Sequence, residues 1–94
     1  PKEIELVLDE QPGVLESAVI DDLLPDFRET AIAVDMPAAD KSPDTDAIMA
    51  NIGASLARFK HPRKIEIIDA LPRNTMGKVQ KNILRERYQN TFQG

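Results

Sequence analysis

Residues 71–85 read LPRNTMGKVQKNILR and contain the signals for a strand end, a turn and a helix start in close succession. Pro72 cannot donate to a sheet ladder and therefore predicts the end of a strand. Asn74 favours a turn, and Gly77 can adopt a positive φ or let the backbone approach a ligand closely. We therefore predict a loop that ends at Gly77 and a helix over Lys81–Asn90.

Lys78 follows the turn glycine, on a loop tethered by a strand and a helix. A long cation in such a position can enter a phosphate site on another domain. A Walker-type phosphate loop needs Gly-x-x-x-x-Gly-Lys-Ser/Thr, whereas here Val79 follows Lys78 and Pro72 occupies the first glycine position. Tight nucleotide binding by this chain alone is therefore not expected. Taken by itself, Lys78 is more simply interpreted as a solvated lysine after a turn glycine.

The remaining segments alternate between short helices and short strands. The expected elements are a helix ended by Pro12-Gly13, strands over 14–20 and 30–34, a helix containing Ile48, Ile52, Leu56 and Phe59, a strand over 64–68 and the last helix. The first two strands are expected to pair antiparallel. Residues 21–29 and 36–46 are expected to be loops, and Ser42 is the expected N-cap of the second helix.

This order of elements predicts an α+β fold, a small three-stranded sheet with helices packed against it. The chain has 94 residues, so residues 1–94 are expected to form a single domain. In the last helix we expect Ile83, Leu84 and Tyr88 to point inward.

Charge is distributed unevenly along the chain. The net charge is −4, but residues 1–57 have −10 and residues 58–94 have +6. A basic segment of this kind can attract ATP, CoA or nucleic acid, or can be a solvated helix face. Nucleic-acid binding is disfavoured because the N-terminal half is acidic and no aromatic platform accompanies the basic residues.

Other compositional features exclude several classes of site. No apolar run approaches the roughly 18 residues of a membrane span, and the charged N-terminus lacks a secretion signal. The chain has no cysteine, which excludes disulfides and thiolate metal sites and is consistent with the cytosol. We expect no metal site, and His61 is expected to be a structural or exposed residue. Because the chain begins with Pro1, we expect a fragment or a processed product.

Four ordered motifs resemble the C-terminal domain of the adenylate-forming superfamily, which includes acyl-CoA synthetases, peptide-synthetase adenylation domains and beetle luciferases. Residues 72–79 resemble the superfamily's closing motif, Pro-x-x-x-x-Gly-Lys-apolar. The other three motifs are PKEIE at residues 1–5, PGVLESAVI at 12–20 and LARFKHP at 56–62. The resemblance covers nearly the whole chain, and residues 71–88 are most similar to malonyl-CoA synthetases.

The resemblance implies a two-step reaction. A carboxylate attacks the α-phosphate of ATP-Mg²⁺, and the small domain then rotates so that CoA displaces AMP. Lys78 matches the superfamily lysine that bridges the carboxylate and the α-phosphate in the first step only. It also implies that a large N-terminal domain binds most of ATP and Mg²⁺, that malonate or a related dicarboxylate is the acid, and that a lysine acetyltransferase can act on Lys78.

The CoA contacts cannot be transferred directly from the superfamily. Gly53 stands near the position where some relatives place a cation on the CoA nucleotide phosphate. Arg58, Lys60 and Arg63 are the nearby candidates for that contact, and Gly77 is the candidate for close backbone approach to a ligand. The main alternative is a peptide-synthetase adenylation domain, which would pass its acyl group to a carrier protein.

Overall fold

The computed structural model describes residues 2–26, 28–55 and 61–92. Its elements are α1 (Lys2–Asp9), β1 (Val14–Leu23), β2 (Glu29–Pro37), α2 (Thr45–Ser55), β3 (Lys64–Ile67) and α3 (Lys81–Tyr88). The predicted α+β class and the order of the elements are confirmed.

The sheet has the strand order β1-β2-β3. β1 and β2 pair antiparallel, as predicted, and β2 pairs parallel with β3. At one level of the sheet, Ile20 pairs with Ile32 and Ile32 pairs with Lys64. Parallel neighbours need a long crossover, and α2 lies within the connection between β2 and β3.

Both faces of the sheet are covered by helices, which explains why β1 and β2 contain near-continuous apolar runs. One cluster joins α1 and α2 to the sheet, with Ile4, Leu8, Val14, Val19, Ala33, Ile48, Ile52 and Ile65 as its buried members. The other cluster lies under α3 and contains Ala18, Ile20, Ile32, Val34, Ile68, Leu71 and Leu84. Alternate residues of β1 and β2 thus supply two separate cores.

The exposed edge of β1 is closed by a side chain from α1. The Glu5 carboxylate accepts a hydrogen bond from the backbone N–H of Val19 at 2.8 Å and lies 2.7 Å from the Lys81 ammonium. Unpaired strand edges invite pairing with other chains, and a charged side chain on the edge blocks such pairing. Glu5 therefore caps the edge and links α1 to α3, a role that its position near a helix start did not predict.

Both strands of the hairpin are longer than predicted. Asp21 and Asp22 were expected in a loop but lie in β1, where they pair with Ala31 and Thr30. The connecting turn is correspondingly short and is closed by a 3.0 Å hydrogen bond from Leu24 N–H to the Arg28 carbonyl. Acidic residues tolerate this position because ladder hydrogen bonds use only the backbone.

Two local predictions about helices were wrong. The N-cap of α2 is Asp44 rather than Ser42, because the Asp44 Oδ1 atom accepts the N–H groups of Asp46 and Ala47 at 3.0 and 3.2 Å. In α3, Ile83 is 41% exposed, while Leu84 is fully buried and Tyr88 packs beside the same cluster. Leu84 and Tyr88 are four residues apart and share a face, whereas Ile83 is displaced from that face. The expected helical residues Leu56 and Phe59 lie outside the described residues.

Asp35 is a buried carboxyl group in the interior of β2. It is fully buried, and neither carboxylate oxygen has a hydrogen-bond partner. Burial, and secondarily the charge of Asp9, raises the pKa of Asp35 to about 7. A buried carboxylate without a partner is costly, so the group holds its proton to a higher pH than an exposed aspartate does.

Within the described ranges, no helix has both the length and the apolar character that crossing a bilayer would require.

Candidate functional site

The segment of residues 72–80, which we call the lysine loop, is held by several hydrogen bonds of its own. Arg73 and Val79 form an antiparallel bridge, and the Gln80 N–H donates to the Pro72 carbonyl at 2.8 Å. The Gly77 N–H donates to the Asn74 carbonyl at 3.0 Å. Gly77 has φ 81°, which confirms that the turn uses the left-handed conformation that glycine adopts at low cost.

Asn74 organises the inside of this turn. Its Oδ1 atom accepts hydrogen bonds from the Met76 N–H at 2.9 Å and from the Lys78 N–H at 3.0 Å. Asparagine side chains commonly bond to backbone groups shortly after them in the sequence, so residue 74 favours this conformation locally.

Arg73 fastens the turn to the sheet. One guanidinium nitrogen donates to the Gly77 carbonyl at 2.7 Å, and another pairs with the Glu16 carboxylate in β1. The planar, forked guanidinium can satisfy two acceptors simultaneously. The loop is therefore connected to β1, a strand that is far from it in the sequence.

Lys78 is exposed, and its ammonium makes no ion pair or hydrogen bond with the described part of the chain. Met76, near the tip of the same loop, is 89% exposed. The neighbouring cations differ, because Arg73 pairs with Glu16 and Lys81 pairs with Glu5. The chain thus neutralises the charges on both sides of Lys78 and leaves this ammonium available to an external anion.

Arg63 lies at the other end of the sheet. It precedes β3, donates its backbone N–H to the Ala31 carbonyl at 2.8 Å and is exposed. With Lys64, it borders a shallow cavity of about 290 Å³ next to the start of α2. Through the strand register, Lys64 lies level with Ile20 of β1, which is four residues, or about 13 Å, along that strand from Glu16. The structure does not bring Arg63 and Lys78 together, and Arg58 and Lys60 lie outside the described residues.

A larger cavity of about 600 Å³ lies between the β1–β2 turn and α3. Its charged lining consists of four acidic residues and one arginine, namely Asp21, Asp22, Glu29, Glu86 and Arg85. Like charges repel a phosphate, so this cavity does not suit a nucleotide. The lysine loop remains the candidate site for an anionic substrate.

Two features of the site were not predicted from the sequence. Glu16 and Arg73 are separated by 57 positions, and nothing local in either segment indicates that they meet. The Asn74 side-chain contacts had a local signal, since asparagine in a glycine-containing turn favours such bonds.

Comparisons with known proteins identify the family to which the chain is similar. A family model described as AMP-binding enzyme C-terminal domain matches residues 3–78. The long-chain-fatty-acid–CoA ligase FadD13 of Mycobacterium tuberculosis is 42% identical over 92 residues, covering 97% of this chain and 18% of that protein. The indoleacetate–CoA ligase of Aromatoleum aromaticum is 34% identical over 86 residues, covering 92% and 17% respectively.

Solved structures show the same fold. Apo MatB from Rhodopseudomonas palustris matches with a TM-score of 0.92 and 47% sequence identity, covering 98% of this chain and 18% of that chain. The present chain thus spans 17–18% of the length of these relatives.

Proposed function

The chain belongs to the family of AMP-binding enzyme C-terminal domains, and we propose that it is the C-terminal domain of an ATP-dependent acyl-CoA synthetase. The whole enzyme would convert a carboxylic acid, ATP and CoA into acyl-CoA, AMP and pyrophosphate. The observation that best supports this proposal is the ammonium of Lys78, which has no partner among the described residues, on a loop whose backbone is held in place. The large N-terminal domain of the same enzyme is the proposed partner, and it would bind most of ATP and its Mg²⁺.

Lys78 would act in the first half-reaction. A carboxylate oxygen of the acid forms a bond to the α-phosphorus of ATP, and the bond from that phosphorus to the pyrophosphate oxygen breaks. Two anions must approach each other, and negative charge increases on the α-phosphate oxygens. A cation held beside both groups reduces their repulsion and stabilises the transition state. Lys78 would serve only as a positive charge and a hydrogen-bond donor, a role that requires no proton transfer.

A different surface would serve the second half-reaction. The CoA sulfur forms a bond to the acyl carbon, and AMP leaves with the electrons of the broken carbon–oxygen bond. We propose that Arg63, together with Arg58 and Lys60, contacts the nucleotide phosphates of CoA. The location of Arg63 at the opposite end of the sheet from Lys78 supports a domain that presents one end in each step.

Malonate or a related dicarboxylate is the acid we propose. Residues 71–88 resemble malonyl-CoA synthetases, and the 47% identity to MatB supports the same assignment. The relatives named above include ligases for a long-chain fatty acid and for indoleacetate, so acid choice varies within the family. A panel of malonate, methylmalonate, acetate and a long-chain acid, supplied to the intact synthetase, would identify the acid.

Exposure of Lys78 also makes it accessible to modifying enzymes. We propose that a lysine acetyltransferase can modify it, in the cytosol where we expect the enzyme to work. Acetylation removes the positive charge and would therefore stop the first half-reaction.

The proposed role is tested with Lys78→Ala in the intact synthetase. The rate of adenylate formation, measured by the exchange of pyrophosphate into ATP, should fall by about 10²–10³-fold or more, as expected when a transition-state charge partner is removed. Thioester formation from supplied acyl-adenylate should change little. The control is Lys41→Ala, another exposed lysine, which should leave both rates unchanged. Equal losses in the two half-reactions of Lys78→Ala would refute the assigned role.

A further inference from the structure

The backbone of Lys78 is held on both sides by one residue, Asn74. The Lys78 N–H donates to the Asn74 side-chain oxygen at 3.0 Å, and the Lys78 carbonyl accepts the Asn74 N–H at 2.9 Å. The same side-chain oxygen also accepts the Met76 N–H. Asn74 therefore fixes both peptide groups of Lys78 without contacting its ammonium.

A second contact fixes the peptide unit directly before Lys78. The Gly77 carbonyl accepts a hydrogen bond from Arg73, whose guanidinium also pairs with Glu16 in β1. The side chains of Arg73 and Glu16 are only about one third exposed, so their pairing is partly shielded from water. The glycine peptide is thereby connected to the sheet rather than only to the turn.

From these contacts we propose that Asn74 and the Arg73–Glu16 pair are positioning residues that set the direction of the Lys78 side chain for adenylation. This inference rests on the proposed function of Lys78. A lysine side chain is long and flexible, so its ammonium reaches a defined point only if its backbone is fixed. Small displacements of a reacting or stabilising group can reduce a rate about a hundredfold.

A purely structural role explains these contacts less well. Residues 73–78 are all exposed, and none of them belongs to either buried cluster, whereas Val79 at the end of the lysine loop packs against the cluster under α3. Exposed hydrogen bonds add little to global stability because water competes for both partners. Contacts of this kind define the geometry of the loop more than the stability of the domain.

The test uses Asn74→Ala in the intact synthetase, with Asn82→Ala as a matched control on an exposed position of α3. Asn74→Ala should lower the kcat of adenylation at least about tenfold, while the KM for ATP stays within about twofold, because the lost geometry matters in the transition state. Thioester formation from supplied acyl-adenylate and the thermal midpoint should match the wild type. Asn82→Ala should match the wild type in every measurement.

Two conservative variants separate positioning from loss of a side chain. Asn74→Ser keeps an oxygen that can accept the same backbone groups, though more weakly, so its adenylation rate should lie between those of Asn74→Ala and the wild type. Arg73→Lys keeps the charge beside Glu16 but replaces the two separate guanidinium donors with one ammonium nitrogen, which cannot reproduce both contacts in the same geometry, so it should lower adenylation kcat while sparing the second half-reaction.

Hydrogen exchange in the intact synthetase gives a readout that is independent of activity. Peptides covering residues 74–78 should exchange faster in Asn74→Ala than in the wild type. Wild-type adenylation rates in both Asn74→Ala and Arg73→Lys would overturn the inference. Should Lys78→Ala also adenylate normally, the proposed function itself would fail, so the two failures are distinguishable.

Discussion

Replacing Asp35 with asparagine should change how the stability of this domain depends on pH. The Asp35 carboxyl lies in the second half of β2, fully buried, with Ser17 as its neighbour in β1 and Ile67 as its neighbour in β3. Asp9 of α1 is the charged group that acts on it, and burial is the larger cause of the raised pKa. Asparagine has nearly the same shape but cannot ionise.

The sign and size of this pH effect follow from the pKa of Asp35, which is 3.8 in the unfolded chain and about 7 in the folded chain. Below pH 3.8, both folded and unfolded chains hold the proton, so the group does not oppose folding. As pH rises, the unfolded chain releases its proton first, and the free energy of unfolding falls until the folded carboxyl also ionises near pH 7. One pH unit corresponds to about 1.4 kcal/mol, so the total loss is about 4 kcal/mol.

The assay is urea unfolding of this chain and of Asp35→Asn, followed by far-ultraviolet circular dichroism at about pH 5 and about pH 8. From the lower to the higher pH, the free energy of unfolding should fall by about 3 kcal/mol more in the wild type than in the variant. Asp69→Asn, at an exposed position, should show the wild-type dependence. If the difference in unfolding free energy between the wild type and Asp35→Asn does not vary with pH, the reasoning is refuted, because folding then does not perturb this carboxyl group.

Two other substitutions test the turn and the strand edge. Gly77→Ala should strain the left-handed turn by about 1–2 kcal/mol, since no atom lies within 4 Å of the added methyl group and only the backbone is perturbed. Half-reaction kinetics should show slower adenylation and unchanged thioester formation, and unchanged adenylation would contradict the role of the turn. Glu5→Ala leaves the Val19 N–H without its acceptor and should cost about 1–3 kcal/mol. Glu5→Gln keeps an acceptor and should cost about 1 kcal/mol or less, so equal losses in urea unfolding would argue against edge capping.

The sequence predicted the features that depend on local patterns. Alternating and continuous apolar runs located all three strands, and the Pro72 and Gly77 signals located the lysine loop. The positive φ of Gly77 was anticipated because glycine alone adopts it without a side-chain penalty. Ordered motifs then associated Lys78 with adenylate chemistry, which composition or spacing alone left open.

Features that depend on tertiary contacts could not be predicted in this way. The extension of β1 through Asp21 and Asp22 depends on pairing with β2, because neither residue favours a strand by itself. The capping of α2 by Asp44 rather than Ser42 depends on where the helix begins, which sequence indicates only to within a few residues. The Arg73–Glu16 pair joins distant segments and has no local signature.

The Glu5–Lys81 pair connects the first helix to the start of α3, just after the lysine loop, and the Arg73–Glu16 pair connects the loop to β1. A domain attached ahead of α1 would exert its torque on that helix first. Because α1 shares a buried core with the sheet and is also paired with α3, rotation of the helix would carry the sheet and the loop with it. The backbone position of Lys78 would then be set by the orientation of the domain as a whole.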